Sequence, residues 1–125
     1  MIVTDQRVAQ FAERVLGHPI IPPFTCMGIE RDGEIIAAVV FNGFTGPDIH
    51  ATVAGHGWTR GFLRAVGEYV FGQLGCLRIS AVTEQSKVVA LAERLGGRIE
   101  GRMPNLFGAG RDGVAIGFQK EDWPR

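Results

Sequence analysis

The sequence predicts one mixed α/β domain, whose sheet is mostly antiparallel and contains a central parallel pair of strands splayed by a crossover helix. Three observations lead to this prediction. The chain has 125 residues, which fits a single domain over residues 1–125. Hydrophobic residues make up 46% of the chain and charged residues 21%, as in proteins with a folded core. Apolar residues recur at helical spacing in three segments and alternate or cluster as in strands in six others.

The predicted elements follow the order α-β-β-β-α-β-α-β-β. They are a helix that ends at Gly17, strands over 25–31, 34–41 and 48–54, a helix over 59–73, a strand over 77–82, a helix that Thr83 caps, and strands over 98–101 and 113–119. Thr4 or Asp5 can cap the first helix, and Asp32-Gly33 predicts a hairpin turn. The glycine-rich segment 104–112 is expected to connect the last two strands. Because a strand, helix and strand in succession need a right-handed crossover, the third and fourth strands should be parallel.

Composition argues against several classes of function. Thirteen basic and thirteen acidic residues cancel, so the chain lacks the positive excess of a nucleic-acid-binding domain. No apolar run reaches the roughly 18–20 residues of a membrane span, and the segment Met1–Asp5 lacks the features of a signal peptide. Cys26 and Cys76 have no CxxC partner, so neither a metal site nor a disulfide is predicted. We therefore expect a cytoplasmic protein that binds no nucleic acid, membrane or metal.

Residues 85–101 resemble the signature of the GNAT N-acetyltransferase superfamily. In that family a strand ends at Asn, a helix follows, and Leu-Gly-Phe and then Glu-Gly lead into the next strand. Leu95-Gly96 and Glu100-Gly101 match this pattern, whereas Gln85 replaces the Asn and Gly97 replaces the Phe. The order of elements is also similar to that fold over nearly the whole chain, with its second helix shortened or missing. The resemblance implies transfer of an acetyl group from acetyl-CoA to an amine.

The same family holds the diphosphate of acetyl-CoA on a strand-to-helix loop with the motif Q/R-x-x-G-x-G/A. Gly57 falls on its first glycine here, whereas Ala54 and Thr59 depart from it. Backbone N–H groups at a helix N-terminus bind anions, and Arg60 can add a full charge. The resemblance thus implies a cofactor-binding set of Val53, Gly55, His56, Gly57, Trp58, Thr59, Arg60 and Gln85. An ordinary glycine-rich turn is the alternative interpretation.

Acetyl transfer needs a base for the amine and a proton for the departing thiolate. His50 is the candidate base, because imidazole titrates near neutral pH and its strand lines the substrate groove in the resembled fold. Ser86 is the candidate proton donor, because Ala92 occupies the position of the family's usual tyrosine. The alternative interpretations are a histidine on a partly exposed sheet face and a serine that caps a helix. Tyr69, the only tyrosine, is expected in the core.

The expected partners are acetyl-CoA and a small-molecule or peptide amine, and the sequence also allows a homodimer. It does not identify the amine. Ala92 and the departures in the loop leave open a second hypothesis, a non-catalytic acyl-CoA-binding or assembly module on the same fold. A small α/β domain of unrelated function is a third hypothesis, since fold alone does not define function.

Overall fold

A seven-stranded sheet forms the centre of the protein in a computed structural model that describes residues 1–125. The elements are β1 (Ile2–Val3), α1 (Gln6–Leu16), β2 (Thr25–Arg31), β3 (Glu34–Asn42), β4 (Asp48–Gly55), α2 (Arg60–Gly67) with a π-helical continuation (Glu68–Gln73), β5 (Arg78–Thr83), α3 (Ser86–Arg94), β6 (Arg98–Gly108) and β7 (Arg111–Gln119). The strands lie in the order β1-β2-β3-β4-β5-β7-β6. Only β4 and β5 are parallel neighbours. These observations confirm the predicted fold class.

The two faces of the sheet are covered unequally. On one face α1 lies over β2, β3 and β4, where Val8 and Ala12 pack against Ala38 and Val40. On the other face α2, its π-helical continuation and α3 enclose a larger core that extends across β3, β4, β5 and β7. Side chains of β5, β7 and β6 that point to the α1 face contact one another instead of a helix. This uneven cover leaves half of one sheet face accessible.

Local signals account for the ends of several elements. The Asp5 carboxylate accepts a hydrogen bond from the Arg7 backbone N–H at 3.0 Å and begins α1, which Gly17 ends in a left-handed conformation. Asp32 and Gly33 both have positive φ in the β2–β3 turn, as a tight hairpin requires. Tyr69 is half-buried with its ring 5.3 Å from that of Phe41, in agreement with the predicted core position.

Two predictions about the elements were wrong, and one element was not predicted. The segment 104–112 is largely strand, since β6 continues to Gly108 and only two residues separate it from β7. Pro104 is tolerated there because β6 is an edge strand with an irregular register. Thr83 is the last residue of β5 rather than a helix cap, and its hydroxyl accepts a hydrogen bond from the Gln85 backbone N–H at 3.1 Å. The short strand β1 was not predicted, because two residues carry no periodicity.

Candidate functional site

The parallel strands β4 and β5 part soon after they begin. Their only paired positions are Asp48 with Arg78, Ile49 with Ile79 and His50 with Ser80. From Ala51 onward β4 pairs only with β3, and from Ala81 onward β5 pairs only with β7. The sheet therefore has a V-shaped opening, and the strand edges that face it carry backbone N–H and C=O groups without a strand partner.

The loop after β4 forms one lip of this opening and is held tightly against β3. The His56 backbone N–H donates to the Ile36 carbonyl oxygen at 3.0 Å. A Cβ atom on Gly55 would collide with that same oxygen, and one on Gly57 would lie 2.8 Å from Ile36 Cδ1. Both glycines also have positive φ, of 92° and 85°. Contact with β3 thus explains both glycines.

Five consecutive backbone N–H groups beyond this contact, those of residues 57–61, donate to no acceptor in the protein. They lie at the N-terminus of α2, where the helix dipole favours an anion. Thr59 caps the helix by accepting a hydrogen bond from the Phe62 backbone N–H at 3.1 Å. Arg60 is exposed and forms no ion pair. The arrangement is chemically suited to a diphosphate.

His50 lies at the apex of the opening, as the last residue of β4 that pairs with β5. Its side chain alternates with the core residues Ile49 and Ala51 and is half-buried on the α1 face. Burial lowers the pKa of the imidazole, and the negative charge of Asp48 partly opposes that effect. The ring forms no hydrogen bond within the protein, so both nitrogen atoms are available. At neutral pH the ring is therefore mostly the neutral form that can accept a proton.

A polar network lies beside His50 on the same face. Ser80, its partner across the parallel ladder, donates a hydrogen bond to Asp48 at 2.7 Å and accepts one from Arg78 Nε at 3.1 Å. Arg78 also forms an ion pair with Glu100 of β6. Sequence analysis did not select Ser80, Arg78 or Glu100, because the strand register that brings them to His50 could not be read from the sequence.

Solved structures that share this arrangement of elements include acetyltransferases. No protein-family model and no curated protein matches the sequence. A variant of spermidine N-acetyltransferase SpeG from Vibrio cholerae superposes with a TM-score of 0.76 over 97% of this chain and 95% of that chain, at 14% identity. Aminoglycoside 6'-acetyltransferase type Ii superposes with a TM-score of 0.70 over 96% and 97% of the two chains, at 10% identity. This chain has the GNAT fold.

In this GNAT fold the predicted site residues fall in three places around the opening. Val53 and the loop 55–60 lie along the β4 side, and Trp58 packs against Phe62 of α2 with ring centres 5.7 Å apart. Gln85 and Ser86 lie on the β5 side, where α3 begins. His50 lies between the two sides at the apex. The amide of His56 is bonded to β3, so only its exposed side chain remains available to a ligand.

The two candidate catalytic residues are not in contact. Ser86 follows the paired residue Ser80 by six positions and forms no hydrogen bond with His50. Ala92 is 7% exposed and packed in the core, so its position in the GNAT fold offers no proton donor here. Cys26 and Cys76 are partly and fully buried, and burial raises the pKa of both thiols. Neither thiol is therefore an activated nucleophile.

None of the helices is both long and apolar enough to cross a membrane. No three His, Cys, Asp or Glu side chains come together in a group that could hold a metal ion.

Proposed function

We propose that the protein is an acetyl-CoA-dependent N-acetyltransferase of the GNAT superfamily. The observation that supports this most strongly is the combination of the opening between β4 and β5 with five free N–H groups at its lip. Acetyl-CoA carries a diphosphate, an extended arm with two amides and a reactive thioester. The loop amides and Arg60 suit the diphosphate, and the unpaired edge of β4 beyond His50 suits the amides of the arm. The thioester would then lie toward the apex.

In the proposed reaction the chain holds the two substrates together and removes one proton. The acceptor nitrogen forms a bond to the thioester carbonyl carbon, and the carbon–sulfur bond breaks. His50 takes the proton from the nitrogen, directly or through one water molecule, because burial keeps its imidazole neutral. A thiol has a pKa near ~8.5, so the departing sulfur can take its proton from water without a dedicated acid. Holding both reactants in one opening supplies part of the rate enhancement.

Arg60 provides the sharpest test of the acetyl-CoA site. Arg60→Ala should weaken acetyl-CoA binding by about 1–3 kcal/mol, because a charge-assisted contact to a phosphate is lost. Arg64→Ala is the matched control, since Arg64 lies one turn further along the same helix and also forms no ion pair. Isothermal titration calorimetry with acetyl-CoA measures both. Equal affinities for the two variants and the wild type would place the diphosphate elsewhere or show that none binds.

A second candidate function is a module that binds acyl-CoA without transferring the acyl group. The observation that favours it is the buried Ala92, which leaves the side of the opening near α3 without the family's usual acid. Release of free thiol from acetyl-CoA in the presence of a broad panel of amines distinguishes the two functions. Acetyl-CoA binding without amine-dependent thiol release would support the module and contradict the transferase.

A further inference from the structure

Asp48, to which the proposed reaction gives no role, lies beside His50 on the same face of the sheet. The two residues are two positions apart on β4, so their side chains point to the same face, about 6.6 Å apart along the strand. The turn before β4 fixes the backbone of Asp48. Its N–H donates to Thr45 Oγ1 at 3.3 Å, and its carbonyl oxygen accepts from the Thr45 N–H at 3.0 Å. The carboxylate therefore starts from a backbone position that is fixed relative to the imidazole.

Ser80 holds the side chain of Asp48 without neutralising it. Ser80 is the partner of His50 across the parallel ladder, and its hydroxyl donates to Asp48 Oδ1 at 2.7 Å. The same hydroxyl accepts from Arg78 Nε at 3.1 Å, so its own proton is directed to Asp48. Because a hydroxyl carries no net charge, this hydrogen bond orients the carboxylate and leaves its negative charge in place.

The Arg78 guanidinium gives its strongest contacts to Glu100 rather than to Asp48. Its two terminal nitrogen atoms donate to the two carboxylate oxygens of Glu100 at 3.0 and 2.5 Å, whereas its Nε lies 3.5 Å from Asp48 Oδ1. Hydrogen bonding to Arg78 accordingly lowers the pKa of Glu100. A bidentate pair is the stronger form of such a contact. Since two carboxylates share one guanidinium, a net negative charge remains, and this geometry leaves it mainly on Asp48.

The other elements around His50 bring no charged group into contact with it. Its partner in β3 is the uncharged Asn42, and the residue of β7 that pairs with Ser80 is Gly117. Helix α1, which packs on the same face of β4, carries three charged residues, Arg7, Glu13 and Arg14. None of the three forms a hydrogen bond or an ion pair with a residue of β4. Burial lowers the pKa of the imidazole, and the charge of Asp48 is the influence that raises it.

We propose that Asp48 is a positioning residue whose retained negative charge keeps His50 basic enough to take the amine proton, and that Glu100 preserves this charge by occupying Arg78. This inference rests on the proposed acetyltransferase function and specifies how its base is tuned. When the proton moves from the acceptor nitrogen to the imidazole, the ring becomes a cation. A carboxylate held nearby stabilises that cation, whereas burial alone would disfavour it.

NMR titration of the His50 ring tests the inference without any substrate. Asp48→Asn should move the midpoint of the titration to lower pH, because the charge that stabilises the cation is lost. Glu100→Gln should move it in the same direction by a smaller amount, because Arg78 is then free to pair with Asp48. Glu93→Gln is the matched control, since Glu93 is exposed on α3, on the other face of the sheet, and forms no ion pair. Glu100 is exposed on an edge strand, so its variant keeps the test available if Asp48→Asn does not fold.

The pH dependence of the rate provides the second measurement. For an accepted amine, Asp48→Asn should lower the plateau of kcat/KM about three- to tenfold, because the efficiency of a general base follows its strength. The rise of the rate with pH should also begin at lower pH, and the affinity for acetyl-CoA should not change. A purely structural role of Asp48 would lower the rate and leave the rise in place.

The outcomes separate this inference from the proposed function. An unchanged ring titration in Asp48→Asn, or an equal shift in Glu93→Gln, would overturn the inference while the acetyltransferase stands. A lower rate whose rise with pH does not move would also overturn it. If no amine is acetylated, the ring titration still decides. A shift confined to the Asp48 and Glu100 variants would then retain the charge beside His50 and overturn the transferase.

Discussion

The two halves of the sheet bury their apolar side chains in different ways. In the half formed by β2, β3 and β4, helices cover both faces, and five consecutive residues of β3, Ala37 to Phe41, are buried. In the half formed by β5, β7 and β6, helices cover one face, so core residues such as Ile79 alternate with polar ones such as Arg78 and Ser80. A strand buried on both faces needs an unbroken apolar run, whereas a strand buried on one face needs alternation.

The two halves meet where β4 pairs with β5, and we call this junction the seam. The half covered on both faces provides a rigid base for the loop that carries the free N–H groups. The half covered on one face leaves the ion pair between Arg78 and Glu100 partly exposed. Only three pairs of residues join the halves through the backbone, whereas the core on the α2 face is continuous across them.

The largest expected effect is a loss of folding stability when the half of the sheet covered on both faces is disrupted. Phe41 is 1% exposed, and Phe41→Ala should lower the free energy of unfolding by about 3–5 kcal/mol, because a buried aromatic ring is lost and a cavity remains. Phe107→Ala, on the open face, should lower it by about 1 kcal/mol or less. Urea denaturation measures both. Equal losses would mean that the open face is as important to the core as the covered one.

The next effect concerns His50 at the seam. His50→Gln should lower kcat/KM for an accepted amine about a hundredfold without weakening acetyl-CoA binding, as expected for loss of a general base. The variant should also lose the rise in rate with pH that the wild type shows below about pH 6.5. His18→Gln, in the exposed segment after α1, is the control. A change of only a few-fold across the pH range would remove His50 from the mechanism and leave substrate proximity as the main source of catalysis.

A smaller effect compares the helix starts on the two sides of the opening. Thr59→Ala should destabilise the protein by about 1 kcal/mol, because the Thr59 hydroxyl caps α2. Gln85→Ala should have almost no effect, since Gln85 makes no side-chain cap to α3. Thermal or urea unfolding distinguishes them, and a Gln85 variant as unstable as the Thr59 variant would contradict the assigned caps.

The smallest effect is the contribution of His50 to the pH dependence of stability. Folding lowers its pKa, so the unfolded chain binds the proton more readily. The resulting stabilisation is present above the unfolded value near ~6.5 and is lost as pH falls toward the folded pKa. Between pH 8 and pH 5 the wild type should therefore lose more unfolding free energy than His50→Gln. Parallel curves for the two proteins would show that the imidazole is not desolvated by folding.

Sequence patterns predicted most of the fold because they follow from local physics. Asp32-Gly33 determines a tight turn wherever it joins two strands, and the helical spacing from Val8 to Leu16 determines an apolar face. The segment 104–112 could not be predicted in the same way. Its proline and glycines are typical of loops, and only pairing of β6 with β7 makes it a strand with a bulge.

The residues of the candidate site show the same contrast between local sequence patterns and contacts that depend on strand pairing. The loop 55–60 was predicted from its resemblance to a family motif, which is a short local pattern of glycines before a helix. Ser80 was not selected from the sequence because neither its residue type nor its spacing marks it. It lies beside His50 because of the strand register, although the two residues are 30 positions apart along the chain.

The sequence by itself determined the order of the elements after β1 and the parallel pair, because each depends on short-range periodicity or chain connectivity. Tertiary structure decided how far β4 and β5 stay paired, which side chains join His50 on its face, and which carboxylates pair with an arginine. Those outcomes depend on which strands lie side by side and in what register. Contacts between distant segments set that register, and no local pattern in the chain encodes it alone.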